Sequence, residues 1–182
     1  MTVATSDSEL AQCQPDAVIA LTGGNLWKSL GRPAPATIGS EATLVAIDAI
    51  EIIVTTEASS LNLKAAASIE IGKWFSRGRY IAVSNSSFID RVNIAPRAHP
   101  NDGIFDIVNI AHTMSLRQRI SAFRRAHTGT HLPHPDIQSS RVTSANFSRA
   151  SRRESLRIDG VRCHNWSSIA LTIRPDYWHV VI

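Results

Sequence analysis

From Glu41 to the C-terminus the chain is broken into short apolar runs, each of strand length, separated by turn residues. Thr43 to Thr56 is rich in Ile, Val and Thr, Leu61 to Ile71 alternates in part, and Arg79 to Ser84 and Ile104 to Ala111 are compact. Further runs follow at Ile137 to Thr143, Leu156 to Ile158, Ile169 to Ile173 and Tyr177 to Ile182, with Asp159-Gly160 as a turn signal between two of them. β-Branched residues fit a pleated, half-buried surface, and many short strands with regular turns fit a sandwich. One stretch carries the other periodicity. Ser115 to His127 opens on a capping serine and sets Leu116, Ile120 and Phe123 at i, i+4 and i+7, with Arg117 and Arg124 on a neighbouring face. The expected fold over residues 41–182 is mainly β (α+β), a two-layer β-sandwich with one amphipathic helix.

The first 40 residues have a different texture. Residues 1–14 are polar, and fraying is expected there. Ala17 to Leu21 is a short apolar run that ends in Thr22-Gly23-Gly24. Asn25 and the sequence LWKSL follow, and Gly31 and Pro33 close them off. That order predicts a strand, a glycine turn and a short helix capped by Asn25. Arg32 to Ser40, with its prolines and Gly39, predicts a linker. Residues 1–40 are thus expected as an N-terminal segment, the remnant of an α/β nucleotide-binding domain, ahead of the sandwich.

Composition narrows the function classes. No apolar run approaches the roughly 20 residues that span a bilayer, and the N-terminus lacks the basic start and apolar core of a secretory signal. Cys13 and Cys163 alone make neither a disulfide framework nor a Cys-based zinc site, so a reducing cytoplasm is the expected compartment. The net charge of +4 conceals an asymmetry: residues 117–162 hold ten arginines against Asp136, Glu154 and Asp159. A basic half points to an anionic partner such as a phospholipid surface, and it equally suits a solvated face. Nucleic acid fits poorly, because aromatics are few and are not interleaved with the arginines.

Two stretches carry candidate chemistry. Asn101-Asp102-Gly103 is a tight turn in which glycine accepts positive φ and aspartate bonds the backbone. The same turn gathers a carboxylate and carbonyl oxygens, donors that suit a hard cation such as Mg²⁺. His127, His131 and His134 flank a short loop, where two of them could reach one ion or each could bond the backbone of a proline-bent segment. Trp74, Trp166 and Trp178 are expected in core or edge positions.

Around the first of these turns the chain resembles the C-terminal domain of the diacylglycerol kinase and bacterial lipid kinase family. The resemblance rests on Ala95-Pro96, Ala98, Pro100-Asn101-Asp102-Gly103 and Phe105-Asp106-Ile107, preceded by Tyr80-Ile-Ala-Val-Ser-Asn85. It continues through Gly129-Thr-His-Leu-Pro-His-Pro135, Arg157-Ile-Asp-Gly160 and Ile173-Arg-Pro175, in the family's order and spacing. It implies a structural Mg²⁺ held by the Asp102 carboxylate and the carbonyls of His99 and Ile104. Thr22-Gly23-Gly24-Asn25 likewise resembles the turn that closes the family's nucleotide domain, where free amides before a helix favour a phosphate.

Two departures set the functional expectation. The family's Gly-Gly-Asp-Gly-Thr motif, which approaches the ATP phosphates, is absent from the 21 residues before Thr22. The glutamate of the family's Asp-Gly-Glu turn, its proposed base, is replaced by Val161, which cannot take a proton; Asp159 is the nearest candidate. The expectation is a non-catalytic lipid- or partner-binding module, cytoplasmic and at most peripheral to membrane, with Arg117 and Arg124 as headgroup contacts. The alternatives are an ATP-dependent lipid kinase whose ATP domain comes from a separate protein, and a basic nucleic-acid binder. ATP is not expected to bind this chain alone, and a homodimer is compatible with the sequence.

Overall fold

The computed structural model describes residues 1–35, 39 and 41–182, so the expected Arg32–Ser40 linker lies partly outside the described residues. The chain begins with β1 (Thr2–Ala4), α1 (Asp7–Leu10), β2 (Val18–Leu21) and α2 (Gly24–Ser29). The sandwich strands then run β3 (Leu44–Thr55), β4 (Ser60–Ala65), β5 (Ser68–Gly72), β6 (Tyr80–Ser84), the small pair β7 (Phe88–Ile89) and β8 (Val92–Asn93), and β9 (Phe105–Ile110). After α3 (Leu116–Ala126) come β10 (Ile137–Val142), β11 (Ser144–Ser148), β12 (Leu156–Ile158), β13 (Val161–Cys163) and the long β14 (Ser168–Val181).

Two six-stranded sheets make the layers. The first is ordered β1-β2-β14-β3-β4, with β11 also on β14, and the second β10-β9-β6-β5-β12-β13. The fold is the mainly β two-layer sandwich the strand runs predict. Alternation decides which residues enter the core. The even residues Ile50, Ile52 and Val54 of β3 meet Ile69 and Ile71 of β5, Ile81 and Val83 of β6, Phe105 of β9 and Trp166 between the sheets. The odd residues Ile47 and Ala49 join Trp178, Val180, Ile19, Leu21, Leu10 and Leu26 in a second cluster around α1 and α2. On the far side of the second sheet, Tyr80, Ala82, Val108 and Ile110 pack with Trp74, Ile94 and the small residues Ala122 and Ala126 of α3. β6 is therefore buried along its whole length, as a strand covered on both faces must be.

Several local expectations are corrected. Residues 1–14 are not frayed: β1 pairs in parallel with β2, and Ala4 and Leu10 are fully buried. β2 in turn pairs in parallel with the end of β14, so the N-terminal strands are hydrogen-bonded into the first sheet. The runs at 169–173 and 177–182 are one strand whose register breaks between Arg174 and Trp178, where Pro175 has no N–H to give the ladder. The run 61–71 is two strands, which belong to different sheets.

α3 packs through an unexpected face. Ser115 caps it in a reciprocal box with Gln118, as its position predicts. The largest buried side chain on the helix is nevertheless Arg119, 1% exposed, while Leu116 and Ile120 are 54% and 38% exposed. Among the described residues Arg119 has no carboxylate partner. Its guanidinium donates to the carbonyls of Met114 (3.2 Å), Trp74 (2.9 Å), Gly78 (2.6 Å) and Ala111 (2.9 Å), and its own carbonyl accepts from the Trp74 indole (3.0 Å). A planar fork with five N–H groups suits such a carbonyl cage. Arg119→Met preserves the helix but leaves these buried acceptors unpaired, with an expected loss of about 3 kcal/mol. Thermal unfolding should fall by about 6–12 °C. A loss within about 1 kcal/mol would show that the cage does not hold α3 to the sheet.

Candidate functional site

The glycine turn and the Asp159 turn lie on either side of one carboxylate, Asp7. Ser6 caps α1, accepting from the Glu9 amide (3.2 Å), and Glu9 reaches back to the Thr5 amide (2.7 Å), so the chain turns tightly after β1. That turn presses on the next. A Cβ at Gly23 would lie 2.2 Å from the Thr5 carbonyl oxygen, and one at Gly24, where φ is +94°, would lie 2.4 Å from Asp7 Oδ1. Gly23, not Asn25, is therefore the cap of α2, and Asn25 is buried in its first turn. The Asn25 and Leu26 amides donate to the Asp7 carboxylate at 2.7 and 3.0 Å. Thr22 is held by its amide on the Ala4 carbonyl (2.9 Å). The amides that a nucleotide phosphate would need already face an anion of the protein's own. Burial raises the Asp7 carboxyl above its ordinary range, against the two amide bonds that lower it.

Asp159 and Gly160 both take positive φ, 46° and 79°, which closes the β12–β13 hairpin. The Asp159 carboxylate accepts from the amides of Ala66 (2.7 Å), Ala67 (2.9 Å) and Ser68 (2.8 Å), tying that hairpin to the link between β4 and β5. Burial pushes its pKa up to about 6, the three amides pull it down, and the nearby charge of Asp7 pushes it up again. Val161 follows at the start of the edge strand β13, 58% exposed. A cavity of about 400 Å³ separates α1 from this hairpin, with Gln12, Lys64, Asp159, Val161 and Cys163 in its lining. No carboxylate with a free oxygen stands where Val161 does, and both oxygens of Asp159 are engaged.

The Asn101–Gly103 turn is fastened from beneath by Asp48, a fully buried carboxylate that accepts from the amides of Gly103 (2.8 Å) and Asp176 (2.9 Å). Asp102 faces the other way. One of its oxygens accepts from the Ile104 amide (3.3 Å) and the other is paired with the guanidinium of Arg141. The His99 ring accepts the Asn101 amide through Nδ1 (3.3 Å). The Asp102 carboxylate, on which a Mg²⁺ was expected together with the carbonyls of His99 and Ile104, is paired here with the Arg141 guanidinium.

The three loop histidines do not converge. His131 is buried with Nε2 at 3.1 Å from the Ile94 carbonyl, and burial lowers its pKa. His127 lies with Nδ1 at 3.2 Å from the Arg91 carbonyl, and His134 accepts the Asp136 amide (3.1 Å). Each bonds backbone. Among the described residues no three His, Cys, Asp or Glu side chains are placed to hold a metal ion. Arg117 and Arg124 are exposed on α3, and neither enters an ion pair among the described residues.

Beneath α3 lies a cavity of about 610 Å³ that sequence reasoning missed, walled by Trp74, Ile89, Val92, Ile94 and Phe123, with Lys28, Arg91 and His127 also lining it. Inside it the Tyr80 hydroxyl donates to Glu70 (2.7 Å), and Lys28 Nζ donates to the Asp90 carbonyl (2.6 Å). Trp74 packs edge-on to both Tyr80 and Phe123. The tryptophan-aromatic wall was the available signal, but its members come from segments far apart in the chain.

A family model described as the YegS C-terminal NAD kinase beta sandwich-like domain matches residues 47–181. The chain belongs to this family. No curated protein matches it. Among solved structures it is similar to a diacylglycerol kinase from Bacillus anthracis str. Sterne, at 11% identity and TM-score 0.59, over 98% of this chain and 74% of that one. It is also similar to yeast NADH kinase complexed with NADH, at 10% identity and TM-score 0.61, over 99% of this chain and 59% of that one. At those identities the likeness is one of fold. It takes in the N-terminal elements that precede the family match, and the family match itself bears out the resemblance to the C-terminal domain of the kinase-like family.

The raised pKa of Asp159 has a sign that can be measured. Folding holds that proton more tightly than the unfolded chain does. The group therefore favours the fold most below about pH 4 and loses that contribution as pH rises through about 6. The stability difference between wild type and Asp159→Asn should change between pH 4 and 6 and be flat from pH 7 to 8, as read by urea unfolding. A difference that is flat throughout would mean that this carboxylate titrates in its ordinary range.

Proposed function

We propose that this chain is a lipid-binding member of the kinase-like family that does not itself transfer phosphate, and that it docks on anionic bilayers through α3. The observation that carries the reading is the exposed apolar ridge of Leu116 and Ile120, extended by Phe75, which packs on Phe123 at 4.9 Å and is itself half exposed. Arg117, Arg124 and Arg125 flank that ridge in solvent. A helix that shows apolar and cationic faces side by side suits the headgroup–acyl boundary. No helix among the described residues is long and apolar enough to cross a membrane, so α3 would lie in the interface.

The cavity beneath α3 supports the same reading. Phe123 belongs to both the helix ridge and the cavity wall, and the volume of about 610 Å³ accommodates part of an apolar chain. Lys28, Arg91 and His127 supply cationic or hydrogen-bonding contacts for an anionic group beside it. Catalysis is disfavoured by the chemistry of the opposite junction. Val161 cannot act as a base, Asp159 is bonded by three amides, and Asp7 occupies the amides at the start of α2.

Co-sedimentation with phosphatidylserine-containing vesicles tests the reading against vesicles of phosphatidylcholine alone. Wild type should prefer the anionic vesicles, with an affinity that falls as salt rises. Each arginine near such a surface contributes about 1 kcal/mol, so the double variant Arg117→Glu/Arg124→Glu should bind at least about thirtyfold more weakly. Leu116→Ser/Ile120→Ser should weaken binding while leaving the salt dependence unchanged. Sedimentation of the charge-reversed protein like wild type would sink the proposal.

A further inference from the structure

We infer that Arg141 stands in for a divalent cation at the Asn101–Gly103 turn, so that the protein carries its own permanent counter-ion there and takes no metal. Arg141 lies on β10 directly opposite Asp106 on β9, the cross-strand position where side chains share a face. From that position its guanidinium reaches two carboxylates: it is paired with Asp102 Oδ2, and its Nε lies 3.5 Å from Asp106 Oδ2. Asp106 is buried, and its Oδ2 has no hydrogen-bond partner, so an oxygen with an unmet demand faces the same point as the Asp102 carboxylate.

Two carboxylates converging on one point, one of them buried with an oxygen that accepts no hydrogen bond, need positive charge between them. A hard dication satisfies that demand through oxygen ligands. A planar guanidinium satisfies it through N–H groups and keeps its charge at every physiological pH. The second solution is the one in place here. Arg97 adds a further positive charge near Asp106. The remaining attachments of the turn need no ion. The Gly103 amide bonds Asp48, whose own amide donates to the Pro100 carbonyl (2.8 Å), and the Asn85 side chain donates to the Asp48 carbonyl (2.8 Å).

If Arg141 fills this place, removing its charge should open it. In thermal unfolding of the purified chain, wild type should show the same midpoint in EDTA and in 10 mM MgCl₂ or CaCl₂ at matched ionic strength. Arg141→Met should unfold at a lower temperature in EDTA and recover by about 4 °C in either dication, as a ligand bound at millimolar affinity would give. Arg141→Gln, which keeps hydrogen-bonding capacity and loses only the charge, should behave in the same way and serves if the Met variant does not fold. A midpoint of wild type that drops in EDTA would overturn the inference, since the native turn would then hold a metal beside the arginine. So would variants that ignore both dications, since the carboxylate pair would then have no cation site to vacate.

Discussion

Asp7, Asp48 and Asp159 each accept backbone amides from segments distant in the chain. Asp7 takes two at the start of α2, Asp48 takes one from the 101–103 turn and one from the break in β14, and Asp159 takes three from the link between β4 and β5. Asp7 and Asp48 join segments that secondary structure alone leaves apart, and Asp159 extends the β5–β12 pairing to the link before β5. Charge-assisted bonds of this kind are stronger than neutral ones, and the low local dielectric strengthens them further. It also makes each carboxylate costly if its partners are removed. The sheets supply the area of the sandwich, and these carboxylates fix how its turns meet.

The same bonds restrict what the molecule can do chemically. A general base needs a lone pair directed at a substrate proton, and a phosphate site needs free amides. Asp159 has both oxygens bonded to backbone amides, and the amides before α2 already face Asp7. Asp7, Asp48 and Asp159 are thus turned inward on backbone amides, whereas Arg117, Arg124 and Arg125 of α3 lie in solvent around an apolar ridge. Arg119 illustrates the division on one helix. It is buried among carbonyls and locks α3 in place, and that lock turns Leu116 and Ile120 outward.

Much of the sandwich was legible in the sequence because its strands are apolar runs of the right length, and β3, β6, β9 and β10 fall within a few residues of expectation. β1 and α1 were missed because three- and four-residue elements carry no periodicity of their own; their stability comes from β2 and the cluster around Trp178. The face of α3 was misread because apolar spacing suggested Leu116 and Ile120 for packing, and nothing local to Arg119 reveals the four carbonyls that receive it. The candidate site was legible in part. Asp102 and the glycine turn were found by residue type and spacing, and Asp159 and Val161 as candidate site positions through the family resemblance. Asp7, Asp48 and Arg141 were not, because their roles rest on partners between 18 and 128 residues away in the chain. Non-local contacts of that kind leave no signature in a single sequence.

The central proposal is that this chain keeps a kinase-like sandwich fold while its acidic groups hold backbone instead of handling protons and phosphates. Incubating it with γ-labelled ATP, Mg²⁺ and vesicles that contain diacylglycerol, at a concentration where it sediments with them, tests that claim most directly. The account predicts label in the lipid no higher than in a protein-free control. Label transferred to the lipid hydroxyl above that level would contradict it.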